Sequence, residues 1–419
     1  MNNAAYVVRH STLVGKPALT FDFEPQTWSD AMPVCVGPYS IGRKPKMPKR
    51  SLLVTGLAAA AVMFAGCGDD SDTDGAGAGA GTDAAEGGGG SVGVILPDAA
   101  TSPRWEANDR PLLQESFEAA GIEADIQNAD GDTSKFATLC DGMINAGVNV
   151  LLIVNLDSDS GGACLKKAQD AGVQTIDYDR LTLGGGASFY VSFDNVAVGG
   201  LMGEGLEKCL TDAGKTTGVN IVFINGDPTD NNAALLKQGY EEYLQPKFDS
   251  GDYTLVGDQT GEWDENIAGD AFEQIYTQNN GAVDGVISAN DTMAQGIIAR
   301  LAANGLNGQV PVTGQDATVA GLQSVLSGDQ CVTIYKAIKA EADAASELAI
   351  ALINGEDTSG LATGTVKDTE LNVDVPSALI TPQAIYRDNV KDVIDDGFWT
   401  AADLCTGDYA ADCAELGIE

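Results

Sequence analysis

The stretch Val219–Tyr240, "VNIVFINGDPTDNNAALLKQGY", decides how the chain is read. A continuous apolar run from Ile221 to Ile224 breaks at Asn225–Gly226, passes four polar side chains (Asp227, Asp230, Asn231, Asn232) and enters a segment with helical spacing. An uninterrupted apolar run is the signature of a strand buried on both faces, as in a parallel sheet covered by helices. The polar residues between strand and helix can cap the helix. Carboxylates and amides are costly to desolvate unless something pairs with them, so a second reading of the same residues is a ligand site.

The pattern recurs on both sides of this stretch. "VGVIL" at Val92, "EADIQ" at Glu123, "VLLIV" at Val150 and "VQTIDY" at Val173 read as strands. Between the second and third, Ser134–Ala146 places Phe136, Leu139, Cys140, Met143 and Ile144 on one helical face. After Val219 the rhythm continues through "YTLVGD", "DGVISAN" and "VPVTGQD". Two successive βα units of similar size predict an α/β protein of two doubly wound, parallel-sheet lobes. In such sheets ligands bind beyond the carboxyl ends of the strands. Polar clusters occupy those ends: "DYDR", "NGDPTDNN", "SANDT" and "TGQDA".

The first ninety residues are of a different kind. From Met47 the sequence "MPKRSLLVTGLAAAAVMFAGC" has a basic start, an apolar run of about 13 residues, small residues and Cys67. This is the layout of a secretory signal, too short to span a bilayer comfortably. "FAGC" resembles the lipobox of bacterial lipoproteins, although Phe64 stands where Leu is usual, and so predicts lipidation of Cys67 and export to the membrane surface, facing the periplasm or the cell exterior. Residues 1–46 read as an upstream segment absent from the mature protein, 47–66 as the signal peptide, and 67–90 as an acidic, Gly-rich tether. The roughly 23 residues of that tether would reach on the order of 25–30 Å.

The full chain of 419 residues has a formal charge of −38. Without residues 1–66 it keeps 16 basic and 58 acidic residues, a charge of −42. Nucleic acid is not an expected partner of so acidic a protein. Its one histidine, His10, precedes the signal, so the mature chain offers none for a triad, proton relay or metal site. No cofactor or metal is expected. Six cysteines remain after Cys67 (Cys140, Cys164, Cys209, Cys331, Cys405, Cys413), none in a CxxC spacing. In an exported protein they suit disulfides, with the close pair Cys405 and Cys413 the first choice.

From Val92 to about Asp396 the chain resembles the periplasmic sugar-binding proteins of ABC importers, and among them the xylose-binding branch. The matching segments, in order, are "RW" at Arg104, "YDR" at Tyr178, "FYVSFDN" at Phe189, "DNNA" at Asp230, "GDQ" followed by Trp263, "NDT" at Asn290, "GQDA" at Gly314, "YK" at Tyr335 and "VPSALITP" at Val375. The resemblance implies two lobes joined by three crossing segments, near Phe193–Val196, Ile334 and Val375. The first lobe would comprise residues 91–194 and 335–375, and the second 195–334 and 376–419. It also implies a sugar site of Arg104, Trp105, Asp179, Arg180, Asp230, Asn232, Trp263, Asn290, Asp316 and Lys336. Two departures bear on that site. "DQTGEW" is one residue shorter than the family's segment before Trp263, and "NLDSDS" at Asn155 differs from the family's loop.

These residue types suit a sugar. Its hydroxyls each donate and accept, while its C–H faces are apolar, so planar paired groups and an aromatic surface recognise it. Each residue has a simpler explanation when taken alone: Asp230 as a helix cap, Trp263 as core, Asn290 and Asp316 as loop residues, Asp179 and Arg180 as parts of an ion pair. The expected function is a lipid-anchored, monomeric binding protein, not an enzyme, that delivers a monosaccharide, D-xylose first, to an ABC permease. Arabinose, ribose, galactose and glucose remain alternatives, as does a sensory receptor subunit. A secreted glycosidase ranks lower, because Arg, Lys and Asn beside the carboxylates should hold them ionised rather than poised as acids.

Overall fold

The computed structural model describes residues 89–418. The signal segment, Cys67 and nearly all of the tether fall outside them. The chain first lays down β1 (Ser91–Leu96), a π-helical turn (Trp105–Asp109) that runs into α1 (Arg110–Ala119), β2 (Glu123–Asn128), α2 (Thr133–Ala146), β3 (Val150–Ile153), α3 (Ser158–Asp170), β4 (Gln174–Tyr178) and β5 (Phe189–Phe193). All five strands pair in parallel; β1 and β3 are the continuous apolar runs within the sheet, and the more polar β2 lies at the edge. Helix α2 starts one residue before the expected position, because Asp132 accepts from the Ser134 and Lys135 amides as N-cap. Phe136, Cys140 and Met143 of its expected face are buried, with Leu139 and Ile144 packed at the edge.

The second series is α4 (Asn195–Asp212), β6 (Val219–Asn225), α5 (Asn231–Ser250), β7 (Tyr253–Thr260), α6 (Glu265–Gln278), β8 (Gly285–Ser288), α7 (Asp291–Ala303), β9 (Thr313–Gln315), α8 (Val319–Ser327) and β10 (Val332–Tyr335). Then come α9 (Ile338–Asn354), the β11 (Gly364–Asp368)–β12 (Val373–Ile380) hairpin, β13 (Gln383–Ile385) and three short helices, α10 (Lys391–Asp395), α11 (Ala401–Leu404) and α12 (Ala410–Leu416). One sheet has the order β11-β12-β5-β4-β3-β1-β2. The other consists of two three-stranded parts, β7-β6-β8 and β13-β10-β9, joined by a parallel bridge between Val286 and Val312. The structure therefore has the expected two parallel-sheet lobes, with β11 and β13 as antiparallel edges.

Three segments pass between the sheets: after Phe193, after Tyr335 and after Ile380. The third differs from its expected place at Val375. Strand β12 continues alongside β5 from Ser377 to Ile380, and only Thr381–Pro382 releases the chain to the other sheet. Residues 376–380 thus stay with the first sheet. Disulfides join Cys140–Cys164, Cys209–Cys331 and Cys405–Cys413. The last staples the terminal short helices, which pack on α8 through Leu404, Cys413 and Ile418.

Candidate functional site

Every strand-end cluster singled out in the sequence opens onto one cavity between the lobes, with ≈ 370 Å³ of atom-free space. All ten expected residues line it, together with Thr101, Ser102, Asn195 and Gln315.

From the first lobe, the π-helical turn carries Arg104 and Trp105. The Arg104 guanidinium lies 4.3 Å from the centre of the Trp105 ring and is bound on three sides by carboxylates. Its Nε and Nη2 donate to Asp109 at 2.9 and 2.6 Å, Nη1 to Asp179 at 2.8 Å, and Nη2 also to Glu341 at 2.5 Å. Asp179 follows β4 on left-handed backbone, φ 62°. That turn exposes its carbonyl to Tyr190 Oη (2.9 Å), Ser192 Oγ (2.8 Å) and Asn232 Nδ2 (2.9 Å). These three bonds hold a conformation that ordinary residues avoid. Burial pushes the Asp179 carboxyl up, but Lys336, Arg104 and Arg180 together bring it below the ordinary carboxylate range. It is an ionised acceptor.

The second lobe answers from the N-termini of its helices. Asp230 is the N-cap of α5, accepting from the Asn232 amide at 2.9 Å, and its other oxygen lies 3.0 Å from Arg180 Nε. The cap reading and the site reading of Asp230 are therefore both satisfied by one side chain. That Nε is not aimed along a hydrogen bond, and burial outweighs the ion contact, raising the Asp230 pKa. Asn290 caps α7 through the Met293 amide (2.8 Å) and donates to the Thr101 carbonyl of the other lobe at 3.3 Å. Asp316, at φ 91°, sits 3.2 Å from Lys336 Nζ and accepts from Ser102 of the other lobe at 3.4 Å. Lys336, at the second crossing, lies 3.6 Å from Asp179. Burial pulls its pKa down, but Asp316 and Asp179 more than offset this, and it stays charged.

Trp263 is also on left-handed backbone, φ 60°, at the short "GEW" turn. The Thr260 hydroxyl fixes that turn, donating to the Gly226 carbonyl (2.7 Å) and accepting the Glu262 amide (3.0 Å). A Cβ at Gly226 would overlap the Trp263 ring, so this glycine is required by the tryptophan. The shortened segment therefore still delivers Trp263 to the cavity. The divergent "NLDSDS" loop enters only indirectly: Asn155 lends its carbonyl to Arg180 Nη1 at 3.2 Å.

The pocket-lining atoms Trp105 Nε1, Trp263 Nε1 and Gln315 Oε1 are buried without a protein hydrogen-bond partner, and Asp316 Oδ1 has only its 3.2 Å ion contact with Lys336. Buried polar atoms are nearly always paired. Two donors and two acceptors around one small cavity match a molecule that itself donates and accepts. Three cations and three carboxylates line it, and Asp109 and Glu341 lie behind them. The surplus of negative charge disfavours an anionic ligand. Asp179 and Asp230 shift in opposite directions, contrary to the expectation that the neighbouring Arg, Lys and Asn would hold these carboxylates alike ionised, and a split pair is the tuning acid–base catalysis needs. Both oxygens of Asp230 are nevertheless engaged, one by the helix amide and one by Arg180.

Residues 92–357 match the periplasmic binding protein domain family. The chain is 35% identical over 318 residues to a D-xylose-binding periplasmic protein of Escherichia coli, spanning 75% of this chain and 92% of that one. It is 32% identical to a multiple sugar-binding periplasmic receptor of Rhizobium radiobacter, over 75% and 92% of the two chains. A carbohydrate transporter solute-binding protein from Chloroflexus aurantiacus, solved with D-glucose, superposes with a TM-score of 0.69 at 29% identity, covering 74% of this chain and 97% of that one.

Proposed function

The chain belongs to the periplasmic binding protein family, a family of transport binding proteins and not of enzymes, and we propose that it captures a monosaccharide, D-xylose first, and hands it as a monomer to an ABC-type importer. The observation that carries this reading is the lining of the cavity, where buried donors and acceptors from both lobes face one enclosed space without protein hydrogen-bond partners. Arg104, Asp179, Arg180 and Trp105 would hold the sugar from one lobe, and Asp230, Asn232, Trp263, Asn290, Asp316 and Lys336 from the other and the crossing. Ligand then favours the closed form, because only that form lets both lobes touch it.

Two tryptophans on the cavity supply the readout. Titration with D-xylose, L-arabinose, D-ribose, D-galactose and D-glucose, followed by tryptophan emission, should give a saturable change that is strongest for D-xylose. No saturable change with any of the five would refute sugar capture, whereas tighter binding of glucose than of xylose would reassign the ligand within the class. The second ligand is worth testing because the Rhizobium relative is named for multiple sugars and the Chloroflexus neighbour holds glucose. Glucose differs from xylose by one hydroxymethyl group, for which a small pocket discriminates by only about 1–3 kcal/mol.

Attachment through Cys67 is part of the same proposal, supported by the basic, apolar and small-residue order before it. Replacing it (Cys67→Ser) should move the protein from the membrane fraction to the soluble one, since stable anchoring takes two or more acyl chains. Equal membrane association of the variant would remove the anchor from the proposal and leave sugar capture standing.

A further inference from the structure

Asp316 reaches the cavity from a turn that the chain would not adopt unaided. Asp316 and Ala317 follow one another on left-handed backbone, at φ 91° and 48°. The Cβ of each disfavours that conformation, so the turn persists only where its surroundings hold it. Its amides are held by β10 and α7 of the same lobe: Asp316 donates to the Ile334 carbonyl (2.9 Å), Ala317 to Thr333 Oγ1 (3.1 Å) and Thr318 to Asp291 Oδ2 (2.9 Å). Its carbonyl is held from the C-terminal tail. Trp399 Nε1 donates to the Ala317 oxygen at 2.8 Å, and Ala317 is fully buried.

The residues just before Trp399 grip the other member of the Asp316–Lys336 ion pair. The Phe398 ring lies 5.0 Å from the Trp399 ring and 5.3 Å from the Tyr335 ring, centre to centre. Asp396 accepts from Tyr335 Oη at 2.5 Å. Tyr335 immediately precedes Lys336, whose ammonium sits 3.2 Å from Asp316. Asp396–Trp399 therefore touches the chain next to both charged groups, although none of these tail residues lines the cavity. The tail is itself fixed in place. Leu404, Cys413 and Ile418 share a buried cluster with Leu322, Val325 and Leu326 of α8, the helix that follows the Asp316–Ala317 turn. Gln323 of that helix donates to the Leu404 carbonyl at 3.0 Å, and the Cys405–Cys413 disulfide closes the short terminal helices. All of this lies beyond residues 92–357, which match the family domain.

We propose that the tail segment Asp396–Trp399 is a positioning element of the sugar site, in which Trp399 sets Asp316 while Phe398 and Asp396 set Lys336. It rests on the sugar-capture reading and deepens it. Without the Trp399 donor the Ala317 carbonyl is left buried and unpaired, which is costly. The turn relieves that cost by relaxing toward ordinary backbone, and the Asp316 carboxylate moves with it. A shift on the order of 1 Å takes a hydrogen bond out of range.

Calorimetric titration of the full chain with D-xylose tests this. Trp399→Phe keeps an aromatic ring against Phe398 and removes the donor, and it should raise the Kd roughly 3- to 10-fold. A merely structural role would lower the melting temperature and leave the Kd of the folded protein unchanged. The decisive comparison is made in the Asp316→Ala background. There the same substitution should change the Kd by less than about twofold, because the residue it acts through is gone. Unchanged affinity in Trp399→Phe overturns the inference and leaves sugar capture intact. An equal loss with and without Asp316 also overturns it, since Trp399 would then act by another route. Wild-type protein that binds no sugar of the panel removes the functional reading, and the positioning role with it. Should Trp399→Phe fold poorly, Tyr335→Phe decides: it keeps the ring beside Phe398, loses the bond to Asp396, and should raise the Kd about 3-fold or more. An unchanged Kd there overturns the inference.

Discussion

Arg104→Ala should lose measurable xylose binding and a large part of the stability of the first lobe together. The guanidinium is almost fully buried, and its removal leaves Asp109, Asp179 and Glu341 facing one another without their common cation. Breaking a buried ion pair from one side costs about 3–5 kcal/mol, because a charge is left uncompensated. At roughly 2–4 °C per kcal/mol for a domain of this size, the melting temperature should fall by on the order of 10 °C. Arg104→Lys should recover little of this. A single ammonium cannot reproduce the fork that meets Asp109 with two nitrogens and still reaches Asp179 and Glu341. The loss should also depend on pH. With the cation gone, the crowded carboxylates have folded-state pKa values above their unfolded ones, so the variant regains stability as the pH falls and loses it as the pH rises. Scanning calorimetry at about pH 5 and 8 checks the sign. A variant that melts with the wild type and still binds xylose would show that the three carboxylates do not depend on Arg104.

How much of this was legible in the sequence follows from which residues carry local signals. Asp179, Asp230, Asn290 and Asp316 stand in the polar clusters that follow the strands, where a parallel sheet places its ligands, and all four line the cavity. Trp263 was legible only through the ordered family match, since its position depends on a left-handed turn and on Gly226 beneath it. Gln315 and Asn195 lie within the segments "GQDA" and "FYVSFDN", and nothing local separates them from their neighbours. Thr101 and Ser102 enter through a loop with no periodicity. Glu341 is the hardest case. In "IKAEADAASELA" it reads as a solvated acid on an alanine-rich helix, and only the packing of α9 against the first sheet puts it at zero exposure beside Arg104. The third crossing lies beyond the place near Val375 that the resemblance implies, because Val373–Ile380 is one strand and the chain leaves it only at Thr381–Pro382. Pro376 lies within β12 and is accommodated at its antiparallel pairing with β11.

Asp316→Ala should separate binding from stability where Arg104→Ala cannot. Asp316 touches the rest of the protein lightly: Oδ1 has a 3.2 Å ion contact to Lys336 and no other donor, and Oδ2 accepts a long 3.4 Å bond from Ser102 across the lobes. Its removal does not strand Lys336, whose ammonium remains 3.6 Å from Asp179. The left-handed backbone, φ 91°, suits Ala slightly less well than Asp, a penalty on the order of 1 kcal/mol at most. What is lost in the complex is larger: a charged acceptor for a sugar hydroxyl, and the pairing of that hydroxyl in a closed cavity. Such losses run to about 2–4 kcal/mol, or roughly 30- to 1,000-fold in Kd. Asp316→Asn, which keeps one acceptor oxygen, should fall between the two. Asp179→Ala makes the contrast. It should lose as much affinity, but it also removes a partner of Arg104 and of Lys336 and the side-chain contact to Asn232, so its melting temperature should fall as well. Calorimetric titration of xylose into Asp316→Ala, on protein that melts within a few degrees of the wild type, is the deciding measurement. Wild-type affinity in that variant would mean that the carboxylate after β9 serves Lys336 and the closed backbone turn, and that the sugar is held without it.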